Sequence, residues 1–397
     1  MEDKKITSIE LVLFYSFVFM FMYAVSTYMY STLMPTIREA YGMNETSASL
    51  LTVSTSIGSL IITGLSALFL DRFDKNTSLG VSVVLYGVLF ILFSMVPPLT
   101  LFLFLKALDG MFSYLVMNLS SAYVSDIYGE KRNQYIPILH TLYAAGAIVA
   151  PKYAAWKIRN IASPAGWGVA YSVIGWLTLI FGIAYLITFR FVKKPVVMNK
   201  EKGVHPFAYV KTVLKNRNVI SLCLSNLFMS GFFFFTNWLT TYFASLGSAS
   251  YTPSVYASIM SMYSVGMLLG VAASGYLAGK LGAERCVRLM CILCLILCLF
   301  ALRENQVWIW MGVMLAVGFA EGPYVTYIAL LGLREFPEYS ATVTSLTSVF
   351  TCLGSIIITP LMGRIAQSCG YGLTMVLSVF FLVIVYLIQL LLYKKRG

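Results

Sequence analysis

Charge is what this sequence has least of. Only 11% of its 397 residues are Asp, Glu, Lys or Arg, against roughly 25% in ordinary soluble domains, while 59% are hydrophobic. A water-soluble fold is excluded, because it has nowhere to hide so much apolar side chain. Histidine is almost missing: His140 and His205 are too few for a nucleophile, base and acid constellation, and no enzyme is expected. No Gly-rich phosphate loop with Lys-Ser or Lys-Thr occurs, and no polar stretch is long enough for a nucleotide-hydrolysing domain, so any pumping draws on an ion or solute gradient. The first half also lacks cysteine. Of the seven in the second half, Cys291, Cys294 and Cys298 follow a helical stripe in an apolar run without His or carboxylate company, the pattern of packing. No metal, cofactor or disulfide framework is expected.

What is present is a series of apolar runs long enough to cross roughly 30 Å of hydrocarbon at about 1.5 Å per residue. They fall at 11–34, 47–70, 78–97, 100–123, 135–156, 168–190, 218–244, 254–278, 286–302, 307–333, 342–363 and 373–393. Helices satisfy their own backbone groups in lipid, so the expected fold is an all-α membrane protein of twelve transmembrane helices. The first run follows Lys4 and Lys5 but is too long for a signal-peptide core, and is read as an uncleaved span.

Twelve spans put both termini on one side. That side holds 21 of the 28 Lys and Arg: Lys4 and Lys5, Arg72 and Lys75, Lys131 and Arg132, eight from Arg190 to Arg217, Lys280, Arg285, Arg288, Arg334, and Lys394 to Arg396. By the positive-inside rule it is the cytoplasm, which explains the net charge of +12 without nucleic acid. The chain is therefore expected in the plasma (inner) membrane, as a monomer with both termini cytoplasmic and the lipid bilayer as its surroundings. The polar interval Phe191 to Asn218 divides six spans from six, giving an N-terminal bundle at 1–190, a basic linker at 191–217 and a C-terminal bundle at 218–397. Within the linker, His205 to Lys215 suits a short basic amphipathic helix on the anionic leaflet.

The halves repeat at an offset near 208 residues: Asp71 with Gly279, Gly129 with Pro337, Glu130 with Glu338, Pro151 with Pro360. The loop after the second span, Ala67 to Lys75 with Asp71-Arg72, resembles the Gly-x-x-x-Asp-Arg-x-Gly-Arg signature of the major facilitator superfamily. Ala67 and Asp74 stand where its glycines would be, and a weaker copy runs from Gly275 through Gly279-Lys280 to Gly282 and Arg285. Lys106-x-x-Asp109-Gly110 is similar to the Arg-x-x-Gln-Gly motif of the proton-coupled drug antiporters, and Gly146-x-x-x-Ala150-Pro151 with Ala154-Ala155 to a softened form of their Gly-Pro motif. Asn237 to Tyr242 and Gly322-Pro323 to Pro337 look similar to the organic-anion and organic-phosphate members. Where those members carry paired arginines, this chain has Thr27 and Phe232, which argues against a phosphate ester. The resemblance implies two pseudo-symmetric six-helix bundles and transport of a small-molecule substrate by alternating access.

Ionisable groups at bilayer depth cost on the order of 3 kcal/mol and mark functional positions. Glu321, in Phe319-Ala320-Glu321-Gly322-Pro323, is the leading candidate, as a proton-loading carboxylate or a counter-charge for a cationic solute. Lys106 and Asp109 share one helical face, as a structural ion pair or a coupling pair. Lys152 lies nearer the outer surface, where it snorkels to headgroups or meets the solute, and a carboxylate solute held by Lys106 or Lys152 stays open. His140 titrates near physiological pH or serves packing. Tyr28, Asn118, Asn226, Asn237, Trp238, Tyr242, Tyr324 and Tyr327 supply phenols, amides and an indole for a polar cavity or for bonds between helices. As a cytoplasmic gate, Asp71 is expected to accept from a helix N-terminus near Ser340 to Thr342 and Arg72 to pair with Asp126. Proton-coupled uptake of a metabolite is the first reading, with proton-driven drug efflux and a non-transporting receptor as the alternatives.

Overall fold

The computed structural model describes residues 8–69, 74–128, 132–159, 164–192, 210–304, 306–336 and 340–393. The chain is all-α. The N-terminal bundle holds α1 (Ser8–Tyr41), α2 (Glu45–Phe69), α3 (Lys75–Ser94), α4 (Leu99–Tyr128), α5 (Arg132–Ile158) and α6 (Gly168–Phe191). After a one-turn helix, α7 (Val210–Val213), come α8 (Arg217–Ser245), α9 (Pro253–Leu281), α10 (Ala283–Ala301), α11 (Val307–Glu321), α12 (Tyr324–Glu335), α13 (Ser340–Cys369) and α14 (Tyr371–Leu391). With α11 and α12 stacked as one crossing, this is two bundles of six.

The span expected at 307–333 is found as one crossing, Val307–Glu335, interrupted at Gly322-Pro323 because Pro323 has no N–H for the carbonyl of Phe319. Of the linker helix expected at His205 to Lys215, residues 205–209 lie outside the described residues, and the described part is helical at Val210–Val213. The helices also outrun the sequence spans: α1 continues past 34 to Tyr41, carrying Arg38 and Glu39 beyond the apolar run.

Local chemistry sets the boundaries. The Asp74 side chain accepts from Thr77 N at 3.1 Å to open α3, and Asn216 accepts from Asn218 N at 2.8 Å to open α8. Gly42 and Gly247, at φ +58° and +60°, turn the chain just after the first helix of each half, in backbone space that side chains disfavour. Rows such as Val81, Leu85, Val88 and Leu92 on α3, or Leu289, Ile292, Leu293 and Ile296 on α10, are exposed at helical spacing. Such apolar stripes are stable only against hydrocarbon.

The repeat reaches the backbone. A Cβ on Gly58 would meet the carbonyl oxygen of Ala107 at 1.7 Å, and one on Gly110 that of Thr55 at 1.9 Å, so α2 and α4 touch main chain to main chain. A Cβ on Gly266 would meet Leu315 O at 2.0 Å and one on Gly318 would meet Tyr263 O at 2.0 Å, which brings α9 and α11 together in the same way. Gly58, Gly110 and the two residues they meet thus each have a counterpart 208 positions later, and small residues at crossings are how membrane helices approach without a hydrophobic drive.

The bundles meet through α2 with α13, α5 with α9, and α1 with α8. Among the described residues, the hydrogen bonds that join them run from mid-depth to the face remote from the termini.

Candidate functional site

Glu321 ends α11 at the break before Pro323, in the middle of the tenth crossing, and is 6% exposed. The Tyr263 hydroxyl of α9 donates a short hydrogen bond to its Oε2. The glycine contact explains the placement: Gly318 rests on the Tyr263 carbonyl, one turn before Glu321, and that presses phenol and carboxylate together. Among the described residues no cation pairs with Glu321.

The other bundle presents aromatic rings to this carboxylate. Tyr28 of α1 and Tyr143 of α5 meet edge to face with centroids 5.9 Å apart, and Tyr23 lies 5.4 Å from Tyr143. The Tyr28 hydroxyl contacts the Met267 sulfur of α9 at 3.3 Å, and Ala24, Ala147 and Met267 form a small buried cluster beneath it. Both Tyr28 and Tyr143 lie within electrostatic reach of Glu321. His140 is part-buried one turn before Tyr143 on α5.

Lys106, 4% exposed, places Nζ 2.5 Å from Asp109 Oδ2 and lies over the Tyr30 ring at 4.2 Å. Its charge is matched inside α4 and α1. Lys152 is exposed and, with Thr36 and Glu39 of α1 and Ser254 of α9, lines a cavity of about 860 Å³ at the face remote from the termini.

Thr27 and Asn237 are exposed at mid-membrane. They lie about one turn toward the termini from a bond in which the Thr240 hydroxyl donates to the Ser31 carbonyl and ties α8 to α1. Several residues expected either at a cavity or between helices are buried among helices in this structure. Trp238 is buried and stacked 4.7 Å from Phe234, since an indole of that size fills a helix crossing. The Asn226 amide donates to Leu222 O and its carbonyl accepts from Thr351, which links α8 to α13. Tyr324 and Tyr327 are buried, Tyr242 is part-buried near Trp310, and Asn118 donates to the Tyr114 carbonyl at 2.8 Å.

Asp71 and Arg72 lie outside the described residues, as do the side chains of Ser340 to Thr342. Asp126 accepts from Lys75 at 2.6 Å, which ties the start of α3 to the end of α4, while its expected partner Arg72 lies outside the described residues. Near the same face Glu335 accepts from Asn218 at 2.8 Å and from Tyr393 at 3.4 Å, which ties α12 to α8 and to the end of α14. Burial raises the Tyr393 phenol above its ordinary value and the Glu335 charge adds to this.

The opposite face carries a latch that the sequence did not disclose. Arg38 pairs with Glu45 at 2.6 Å and donates to the Tyr371 hydroxyl at 2.5 Å, Tyr371 donates to Glu45 at 3.2 Å, and Thr46 donates to Gln367 at 2.6 Å. Deeper in, Ser261 of α9 donates to the Ile148 carbonyl of α5 at 2.9 Å. Only the pairing of a charged residue at the end of α1 with one at the start of α2 hinted at this. Tyr263 and Tyr143 were missed too, although the 208-residue offset read through the glycines would have put Tyr263 at a helix contact.

The family model for the Major Facilitator Superfamily matches residues 16–359. Among solved structures, a single-site mutant of the nucleoside transporter NupG superposes with a TM-score of 0.81 at 11% identity, covering 96% of this chain and 100% of that one. A bacterial homologue of the human lysosomal transporter Spinster, inward-facing and unoccupied, gives 0.78 at 12% identity over 97% of each chain. No curated protein sequence matches.

Proposed function

Because the chain belongs to the major facilitator superfamily, and is thus an integral multi-pass secondary transporter, we propose that it takes up a small organic solute with protons. The observation that carries this is Glu321: a buried carboxylate with no cationic partner among the described residues, at a helix break, facing tyrosines of the opposite bundle. A buried charge of this kind is stable only when a proton or a cation neutralises it, and rocking of the bundles changes what it faces. With the cation-rich side in the cytoplasm, the latched face is the outer one.

Uptake is preferred because no acidic residue lies in α1 between Glu10 and Glu39, and Lys106 is already neutralised by Asp109. Efflux of an organic cation is the second reading, favoured by the aromatic rings around an unpaired carboxylate. Reconstituted vesicles with an imposed pH gradient, screened with labelled organic acids, sugars, amino compounds and cationic dyes, separate the two. Uptake is expected, and dye extrusion alone would favour the second. Glu321→Gln is expected to abolish gradient-driven accumulation while sparing exchange; accumulation at the wild-type level would remove Glu321 from the coupling step.

A further inference from the structure

The cavity at the face remote from the termini has a charge pattern of its own. Glu39 comes from the end of α1, Lys152, Trp156 and Arg159 from the end of α5, and Ser254 from the start of α9. Its volume of about 860 Å³ is in the range of small-molecule sites. Lys152, Arg159 and Glu39 have no ion-pair partner among the described residues, so two unmatched cations oppose one unmatched carboxylate. Lys157 adds a third cation at the same helix end, 4.6 Å from the Trp156 ring centroid. Trp156 is 63% exposed, which leaves its ring open to a flat apolar group.

Depth along the helices sets what the cavity does. Its buried lining residue Ala257 is one turn from Ser261, whose bond to the Ile148 carbonyl closes α9 onto α5. Tyr143 and Met267, next to the Glu321 cluster, lie on the far side of that closure. The cavity therefore adjoins the inter-bundle seam without sharing residues with the central site.

We propose that this cavity is a capture site for an organic carboxylate bearing an apolar ring. The carboxylate docks on Lys152 and Arg159 and the ring on Trp156, held outside the seam until α5 and α9 part. Arginine and lysine recognise carboxylates through charge-assisted hydrogen bonds, and the cationic rim concentrates anions at low salt.

The test uses the full-length protein in nanodiscs with benzoate as probe, benzylamine as the opposite-charge control, and calorimetry plus tryptophan fluorescence as readouts. Benzoate is expected to bind saturably and more weakly at high salt, with a fluorescence change that disappears in Trp156→Phe. Lys152→Gln with Arg159→Gln should weaken binding roughly tenfold or more, as loss of hydrogen bonds to a charged group does. Lys152→Arg with Arg159→Lys should retain it, which separates lost charge from misfolding. Glu321→Gln should bind benzoate normally even where it fails to accumulate solute, so the central reading and this one fail separately. No saturable binding, equal binding by benzylamine, binding unchanged without the two cations, or loss in Glu321→Gln would each overturn the proposal.

Discussion

The Tyr263 phenol is one atom of oxygen away from being Phe, and that atom is what Glu321 leans on. Tyr263→Phe is expected to lower coupled uptake about tenfold or more, since a hydrogen bond to a charged group contributes roughly 1.5–3 kcal/mol, with the thermal transition kept near wild type. Lys106 and Asp109 behave differently. Lys106→Gln or Asp109→Asn alone leaves a buried uncompensated charge and should destabilise by about 3–5 kcal/mol, whereas the double variant should refold to near wild-type stability, as read by thermal denaturation in detergent. At this scale the sequence announced its charged residues and, through helical spacing, the Lys106 and Asp109 partnership, but not the partner of Glu321. Glu321 and the Lys106 and Asp109 pair stand out because charge in an apolar run is rare. Tyr263 is one tyrosine among 26, and nothing local to it says which helix it will touch.

Helices were legible because their spans are bounded by charge and by Gly, Pro, Asp and Asn, all of which act locally. The close contacts were less so, because they depend on which glycines meet across a crossing. Gly318→Ala forces α9 away from α11 and Gly110→Ala forces α4 away from α2, each by a collision of about the same severity. Both should lose about 1–3 kcal/mol, the usual cost of overpacking. Only Gly318→Ala should also depress coupled uptake beyond what the lost stability explains, because it alone shifts the Tyr263 contact; equal effects of the two on uptake per folded molecule would count against the assignment.

For the molecule as a whole, the parallel repeat was visible in the chain as loop punctuation, and the structure extends it to the helix crossings. The latch was not visible, because Arg38, Glu45 and Tyr371 are brought together by packing of the two bundles, with Tyr371 and Glu45 lying 326 residues apart. A Cβ built on Gly363 falls 3.0 Å from the Ser49 Cβ across the same closed face. Ser49→Cys with Gly363→Cys, in a Cys369→Ser background, should therefore form a disulfide after the helices yield by about half an ångström. Oxidised protein is expected to stop transporting and a reductant to restore it; full transport by the oxidised form would mean that this face need not open.

The interruption after Glu321 gives the tenth crossing a joint. The stretch Val307–Glu321 is wedged against α9 by glycines, while Tyr324–Glu335 is anchored at its far end to α8 and α14 through Glu335. Any tug on that anchor is delivered at the elbow where the carboxylate sits, so the residue proposed to carry the proton is also placed at the pivot of the lower arm.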